Sequence, residues 1–108
     1  MNNTIKKKRQ MKIIELDLTG CKYLAEVHER IRVAFGFSEW YGKIWDAFWD
    51  LLRSECDADK LIVKGENTLT KEFDEQITIF HETLDEYIDF REKYKKYGLN
   101  AFEYEIVD

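Results

Sequence analysis

The order in which hydrophobic periodicity changes along this 108-residue chain leaves few folds open to it. Residues 12–18 place Ile14, Leu16 and Leu18 on one face at the two-residue period of a strand, and Thr19-Gly20 break the pattern. From Cys21 to Phe35 the apolar residues Leu24, Val27, Ile31, Ala34 and Phe35 recur at helical spacing, with Gly36 placed to close the helix in a left-handed cap. A second helix is predicted over 43–53. It carries Ile44, Phe48, Leu51 and Leu52 on one side, Lys43, Asp46 and Asp50 on the other, and Trp49 at the border. Asp57-Ala58-Asp59 turn the chain into Leu61-Ile62-Val63, a run apolar on both faces that suits the middle strand of a covered parallel sheet. After a loop at 65–68, with Thr68 or Thr70 available as a cap, Phe73, Ile77, Phe80, Leu84, Tyr87, Ile88 and Tyr94 keep helical spacing until Gly98. That stretch reads as one long helix or as a short helix joined to a longer one. Phe102, Tyr104 and Ile106 then alternate with two glutamates, as a strand exposed on one face does.

Strand, helix, helix, strand, helix, strand requires helical crossovers. The expected class is therefore α/β, a small three-stranded parallel sheet packed against three or four helices with right-handed connections. The length suits a single domain, expected over residues 11–108, behind a basic and disordered tail at residues 1–10. No proline, repeat or low-complexity linker divides it.

Lys6, Lys7, Lys8 and Arg9 hold four of the 17 basic residues, so from Met11 onward 13 basic residues face 22 acidic ones, a net charge of −9. Such a body repels nucleic acid backbones and anionic lipid and attracts basic proteins. No direct nucleic acid ligand and no membrane association are expected, since no apolar stretch nears the length of a bilayer span. No apolar run follows the basic N-terminus as in a secretory signal. Cys21 and Cys56 have no metal-ligand or disulfide-framework spacing, so free thiols in a reducing cytoplasm are expected, without metal or cofactor. His28 and His81 read as structural, with no serine or cysteine nucleophile motif beside either and no glycine-rich phosphate loop in the chain. No catalytic residue is assigned, and an enzyme is not expected.

Residues 39–50, Glu-Trp-Tyr-Gly-Lys-Ile-Trp-Asp-Ala-Phe-Trp-Asp, have instead the chemistry of a docking surface. Five large aromatics supply rigid contact area, and carboxylates beside them select a cationic partner. A plainer reading competes with this one. Lys43 lies three residues before Asp46 and Arg53 three after Asp50, so both carboxylates suit ordinary pairing on a wet helix face, and Asp46 also favours the helix dipole. Trp45 is expected to be partly buried, while Trp40 and Tyr41 precede the helix and need no cover. Gly42 is expected to take a positive φ at the helix entry. The acidic band of the long helix, including Glu82 and Glu86, reads as its solvated face.

Glu39-Trp40-Tyr41-Gly42 followed by Asp46-Ala47-Phe48-Trp49-Asp50 resembles the pattern E-Y-Y-G-x-N-x-D-A-L-W-D of the barstar family, intracellular protein inhibitors of secreted ribonucleases, and Val27-His28 stands where that family has a Leu-His pair. The resemblance implies a barstar-like fold from Met11 to Asp108. It also implies a one-to-one partner, a basic extracellular ribonuclease or related toxin, whose cleft is plugged by the loop and second helix. Carried over residue by residue, it makes Asp50 the main phosphate mimic, Asp46 a second acidic contact, Trp49 a border aromatic, and Trp40, Tyr41 and Gly42 loop contacts. A further contact falls on Glu92, after Phe90-Arg91. Ile44 stands in place of the asparagine and Trp40 in place of the first tyrosine. Those departures favour an alternative, an immunity or regulatory module of the same fold that binds a different basic, non-ribonuclease protein.

Overall fold

Each change of period becomes an element in the computed structural model, which describes residues 10–108. The tail expected at residues 1–10 lies, except for Gln10, outside the described residues. The elements are β1 (Ile13–Asp17), α1 (Leu24–Phe35), α2 (Trp45–Glu55), β2 (Lys60–Lys64), α3 (Asp74–Lys93) and β3 (Glu103–Val107). Short 3-10 turns occupy Glu66–Thr68, Lys71–Phe73 and Lys95–Tyr97. The strands pair in parallel in the order β1-β2-β3, with Leu16, Val63 and Ile106 in one register row. The fold is α/β, as expected.

Helix ends follow local chemistry. α1 begins at Leu24 rather than Cys21 because the Glu26 carboxylate accepts the backbone N–H groups of Lys22 and Tyr23 at 2.7 and 3.0 Å, leaving that segment outside the helix. Gly36, at φ 72°, closes α1 with its N–H on the Val33 carbonyl, and Phe37 N–H reaches the Arg32 carbonyl. α3 is the single long helix of the two forms expected, entered through the 3-10 turn at Lys71–Phe73.

The sheet corrects one expectation. Ile14, Leu16, Leu61 and Val63 are buried on the face that the helices cover, whereas Ile13, Glu15, Asp17, Lys64 and Glu105 are exposed on the other. Consecutive parallel neighbours with crossovers of one hand place every helix on one side, so β2 is covered on one face only. Ile62 lies half-buried on the open face between Glu15 and Glu105 of the flanking strands. Diagonal ion pairs, Lys64–Glu15 at 2.8 Å and Lys60–Glu105 at 3.2 Å, lie across the same surface. The alternation expected in the last strand is also only partial: Phe102 is buried and Tyr104 half-buried, but Ile106 is exposed at the free edge.

One buried cation ties the layers together. From α3, Arg91 donates to the Tyr87 hydroxyl at 2.6 Å, the Asn100 carbonyl at 2.7 Å, the Ala58 carbonyl at 3.0 Å and Asp59 Oδ1 at 3.3 Å. Asp59 Oδ2 in turn accepts Lys12 N–H at 2.9 Å, so the entries to all three strands meet at this cluster. At the other end of the sheet, Gly65 (φ 84°) lies against the Thr19 backbone, where a Cβ would come within 2.4 Å of the Thr19 nitrogen.

Candidate partner-binding surface

The loop before α2 is anchored from inside. Tyr41 is 5% exposed and packs on Phe37. Its hydroxyl shares a 2.5 Å hydrogen bond with Nδ1 of His28, itself buried in α1. This corrects the expectation of Tyr41 as an uncovered loop contact: its ring belongs to the core, and the hydroxyl is taken up by α1. The His28 ring also lies 4.3 Å from that of Trp45, the first residue of α2, so one histidine touches both the loop and the helix it leads into. Its Nε2 is buried without a hydrogen-bond partner among the described residues. Burial, and secondarily the Lys43 charge, lower the His28 pKa to about 4, so the ring is neutral near pH 7.

With Tyr41 turned in, its neighbours turn out. Trp40 is 92% exposed, and its N–H is held by Ser38 Oγ at 3.1 Å. The positive φ expected at Gly42 belongs to Lys43, at 55°. Gly42 is exposed, and a Cβ there would meet Ala47 at an ordinary 3.5 Å, so its value is a low rim rather than an unusual backbone angle. Lys43 then directs its ammonium to Glu29 of α1 at 3.5 Å, not to Asp46. The plainer reading of the two carboxylates therefore divides. Asp50 pairs with Arg53 at 2.5 Å, and Asp46 has no hydrogen bond or ion pair with any described residue.

α2 separates the predicted residues into two grooves. Trp40, Tyr41, Gly42 and Asp50 line an open groove of about 350 Å³ on the loop side, together with Ser38, Ala47, Leu51 and Glu55. Asp46 and Trp49 line a second groove of about 240 Å³ toward α3, together with Trp45, Ile79, Glu82, Thr83 and Glu86. Trp49 is half-buried, edge-on to Phe90 and under the Arg53 guanidinium at 4.8 Å from its ring centre. Trp45 is partly buried, its Nε1 donating to Gln76 at 2.8 Å. Glu92 lies in neither groove; it is exposed near the end of α3, 3.8 Å from Lys95.

Sequence reasoning missed three features. The sequence alone presents His28 as structural, with no link to the loop, although a buried polar ring needs partners and Tyr41 is one. Glu55 lies one helical turn beyond Leu51 and lines the same groove, a place that helical spacing makes available to it. Glu82 and Glu86, expected on a solvated face, are exposed but line one groove with Asp46 across the seam between α2 and α3. Their four-residue spacing gave the shared face but not the facing helix.

Among the described residues the two grooves are lined chiefly by carboxylates, indoles and aliphatic side chains. Cys21 is buried and Cys56 half-buried, and burial raises both thiol pKa values. Among the described residues no group of histidine, cysteine and carboxylate side chains is placed to hold a metal ion, and no helix is long and apolar enough to cross a membrane.

Residues 11–101 match the protein-family model described as Barstar (barnase inhibitor). No curated protein matches the chain.

Proposed function

The chain belongs to the barstar family, an inhibitor family rather than a catalytic one, and from that premise we propose that it is a cytoplasmic one-to-one inhibitor of a secreted basic ribonuclease. In this reading the loop before α2 and the exposed stripe of α2 enter the enzyme's cleft. Asp50 takes the place of substrate phosphate, Asp46 is a second acidic contact, and Trp40, Gly42 and Trp49 surround them. Tyr41 takes a positioning role, because its hydroxyl is already bound to His28. Glu92 is the outlying contact on α3.

The observation that carries the reading is the exposed Asp50 carboxylate on one groove with a fully projecting Trp40. Asp50 must exchange Arg53 for the enzyme's cations, and an exposed pair of that kind is worth only about 0–1 kcal/mol. The exchange is favourable because a ribonuclease has already assembled cationic donors for phosphate and so meets a carboxylate with its desolvation largely offset.

Titration calorimetry with barnase tests this. Asp50→Ala is expected to weaken binding by roughly 3 kcal/mol, because it leaves cations of the cleft buried and unpaired. Glu103→Ala, on the open face of the sheet, is expected to leave affinity unchanged. Equal losses in the two variants would refute the assignment.

A second reading has one observation in its favour. Ile44 is 58% exposed and Trp40 92%, so the loop presents two large apolar side chains, suited to a different basic protein with an apolar recess. Strong binding to a non-ribonuclease protein, with barnase ignored, would favour it.

A further inference from the structure

α1 holds the loop before α2 at its entry, its middle and its exit. In the middle, the Tyr41 hydroxyl is bonded to His28. At the entry, the Arg32 carbonyl accepts Phe37 N–H at 2.9 Å, and Arg32 Nη1 donates to the Phe37 carbonyl at 3.4 Å. Glu29, one turn before Arg32 on the same helix face, accepts that guanidinium at Nε (3.0 Å) and Nη2 (2.7 Å) and lies 3.5 Å from the Lys43 ammonium at the exit. One carboxylate thus joins the two cations that bracket the loop. The exit is where a tether is needed. Apart from glycines, Lys43 is the one described residue with a positive φ, 55°, at which a Cβ crowds the backbone and which a lysine leaves unless its surroundings hold it. Trp40, 92% exposed, has little packing of its own to fix its direction.

We infer that Glu29 is a positioning residue for the loop before α2: by pairing with Lys43 it holds the left-handed exit of the loop and so fixes the direction in which Trp40 and Gly42 meet the partner. This role rests on the reading above and deepens it, since Glu29 supplies preorganisation rather than a contact. A Lys43 released from Glu29 returns to an ordinary negative φ for part of the time. A loop in that state must be reset before it docks, so apparent affinity falls with the fraction of chains already in the binding form. The pair need not be strong. Both side chains are 44% exposed, where an ion pair adds little to global stability, but the equilibrium that it biases is local to one backbone angle.

A double-mutant cycle tests this, with barnase as the probe in stopped-flow kinetics and calorimetry. Glu29→Gln is expected to raise Kd about fivefold, at about 0.5 M salt as at about 0.05 M, because lost preorganisation is not screened. In a Lys43→Gly background, where the residue takes a positive φ without cost and has no ammonium to hold, the same change is expected to raise Kd by less than about twofold. Thermal melts confirm that the variants fold. Equal losses in the two backgrounds would reduce Glu29 to its charge or to its pair with Arg32 and overturn the inference, as would no loss in the first. In the free protein, the NMR backbone shifts of Lys43, which report its φ, are expected to move in Glu29→Gln toward those of a negative-φ lysine, and unchanged shifts would also overturn it. If Asp50→Ala weakens binding while Glu29→Gln does not, the inhibitor reading stands and the inference falls. If the unaltered chain does not bind barnase, or Asp50→Ala has no effect, the reading falls and takes this role of Glu29 with it.

Discussion

His28 anchors the loop before α2 and is expected to limit the acid stability of the fold. It is 1% exposed, bonded to Tyr41 through Nδ1, against Trp45, and unpartnered at Nε2, so a proton on it has no counter-charge. Burial first, and the Lys43 charge second, lower its pKa to about 4. A base whose folded pKa lies below its unfolded value, about 6.5, takes up its proton first in the unfolded chain. Stability is therefore full above pH 6.5 and falls as pH drops from there to about 4. His81 has the opposite sign. Its hydrogen bond to Glu66, at 2.6 Å, raises its pKa, so its contribution is complete below about pH 6.5 and is lost as pH rises through the raised value. The pKa values of Asp17 and Glu29 are lowered, chiefly by hydrogen bonds from Thr19 and Arg32, and they act in a lower window, below about pH 4. Urea unfolding at pH 7 and pH 5 separates these contributions. From pH 7 to pH 5 the unaltered chain is expected to fall by roughly 2 kcal/mol relative to His28→Gln, which keeps the opposing gain from His81. An equal loss in His28→Gln would place the acid sensitivity elsewhere.

Among the elements, α2 bears the acidic and aromatic stripe proposed to face the partner, on an end without a side-chain cap. Ile44 is its N-cap, at φ −132° and ψ 159°, and offers no side-chain acceptor to the first turn, while Lys43 before it holds a left-handed angle. Ile44→Asn is expected to stabilise the protein by about 1 kcal/mol, because an amide oxygen there accepts an N–H of Asp46 or Ala47. A thermal melt reads this as a rise of about 4–8 °C. An unchanged or lower midpoint would mean that Ile44 packs more than its exposure suggests. The end of α1 was legible from Gly36, because only a left-handed residue closes a helix in that way. The entry to α2 was not, because loop closure around buried Tyr41 sets its backbone angles and places the positive φ on Lys43 rather than Gly42. β1 was readable from its alternation. The uncovered face of β2 was not, since Leu61-Ile62-Val63 looks the same whether one face or two are covered. The stripe of Asp46, Trp49 and Asp50 follows from helical spacing, whereas its division into two grooves depends on where the loop and α3 come to lie.

Across the whole molecule, charge is distributed by face. The open sheet surface carries cross-strand pairs between Lys64 and Glu15 and between Lys60 and Glu105, and Lys93, Lys95 and Lys96 cluster where α3 runs into the 3-10 turn after it. The helical layer around α2 instead exposes Asp46, Asp50, Glu55, Glu82 and Glu86, of which Asp50 is paired with Arg53. With −9 over residues 11–108, the field of such a body points its acidic face toward a basic protein before contact. Added salt screens that attraction beyond about 8–10 Å but acts little on pairs already buried at an interface. The association rate with barnase is accordingly expected to fall roughly tenfold as ionic strength rises from about 0.01 to 0.2 M, while the dissociation rate changes far less. Stopped-flow fluorescence measures both rates. Asp46→Asn then distinguishes two roles for that unpaired carboxylate: slower association with unchanged dissociation makes it a steering charge, and faster dissociation makes it a buried contact. An association rate indifferent to salt would mean that the acidic face does not direct the encounter.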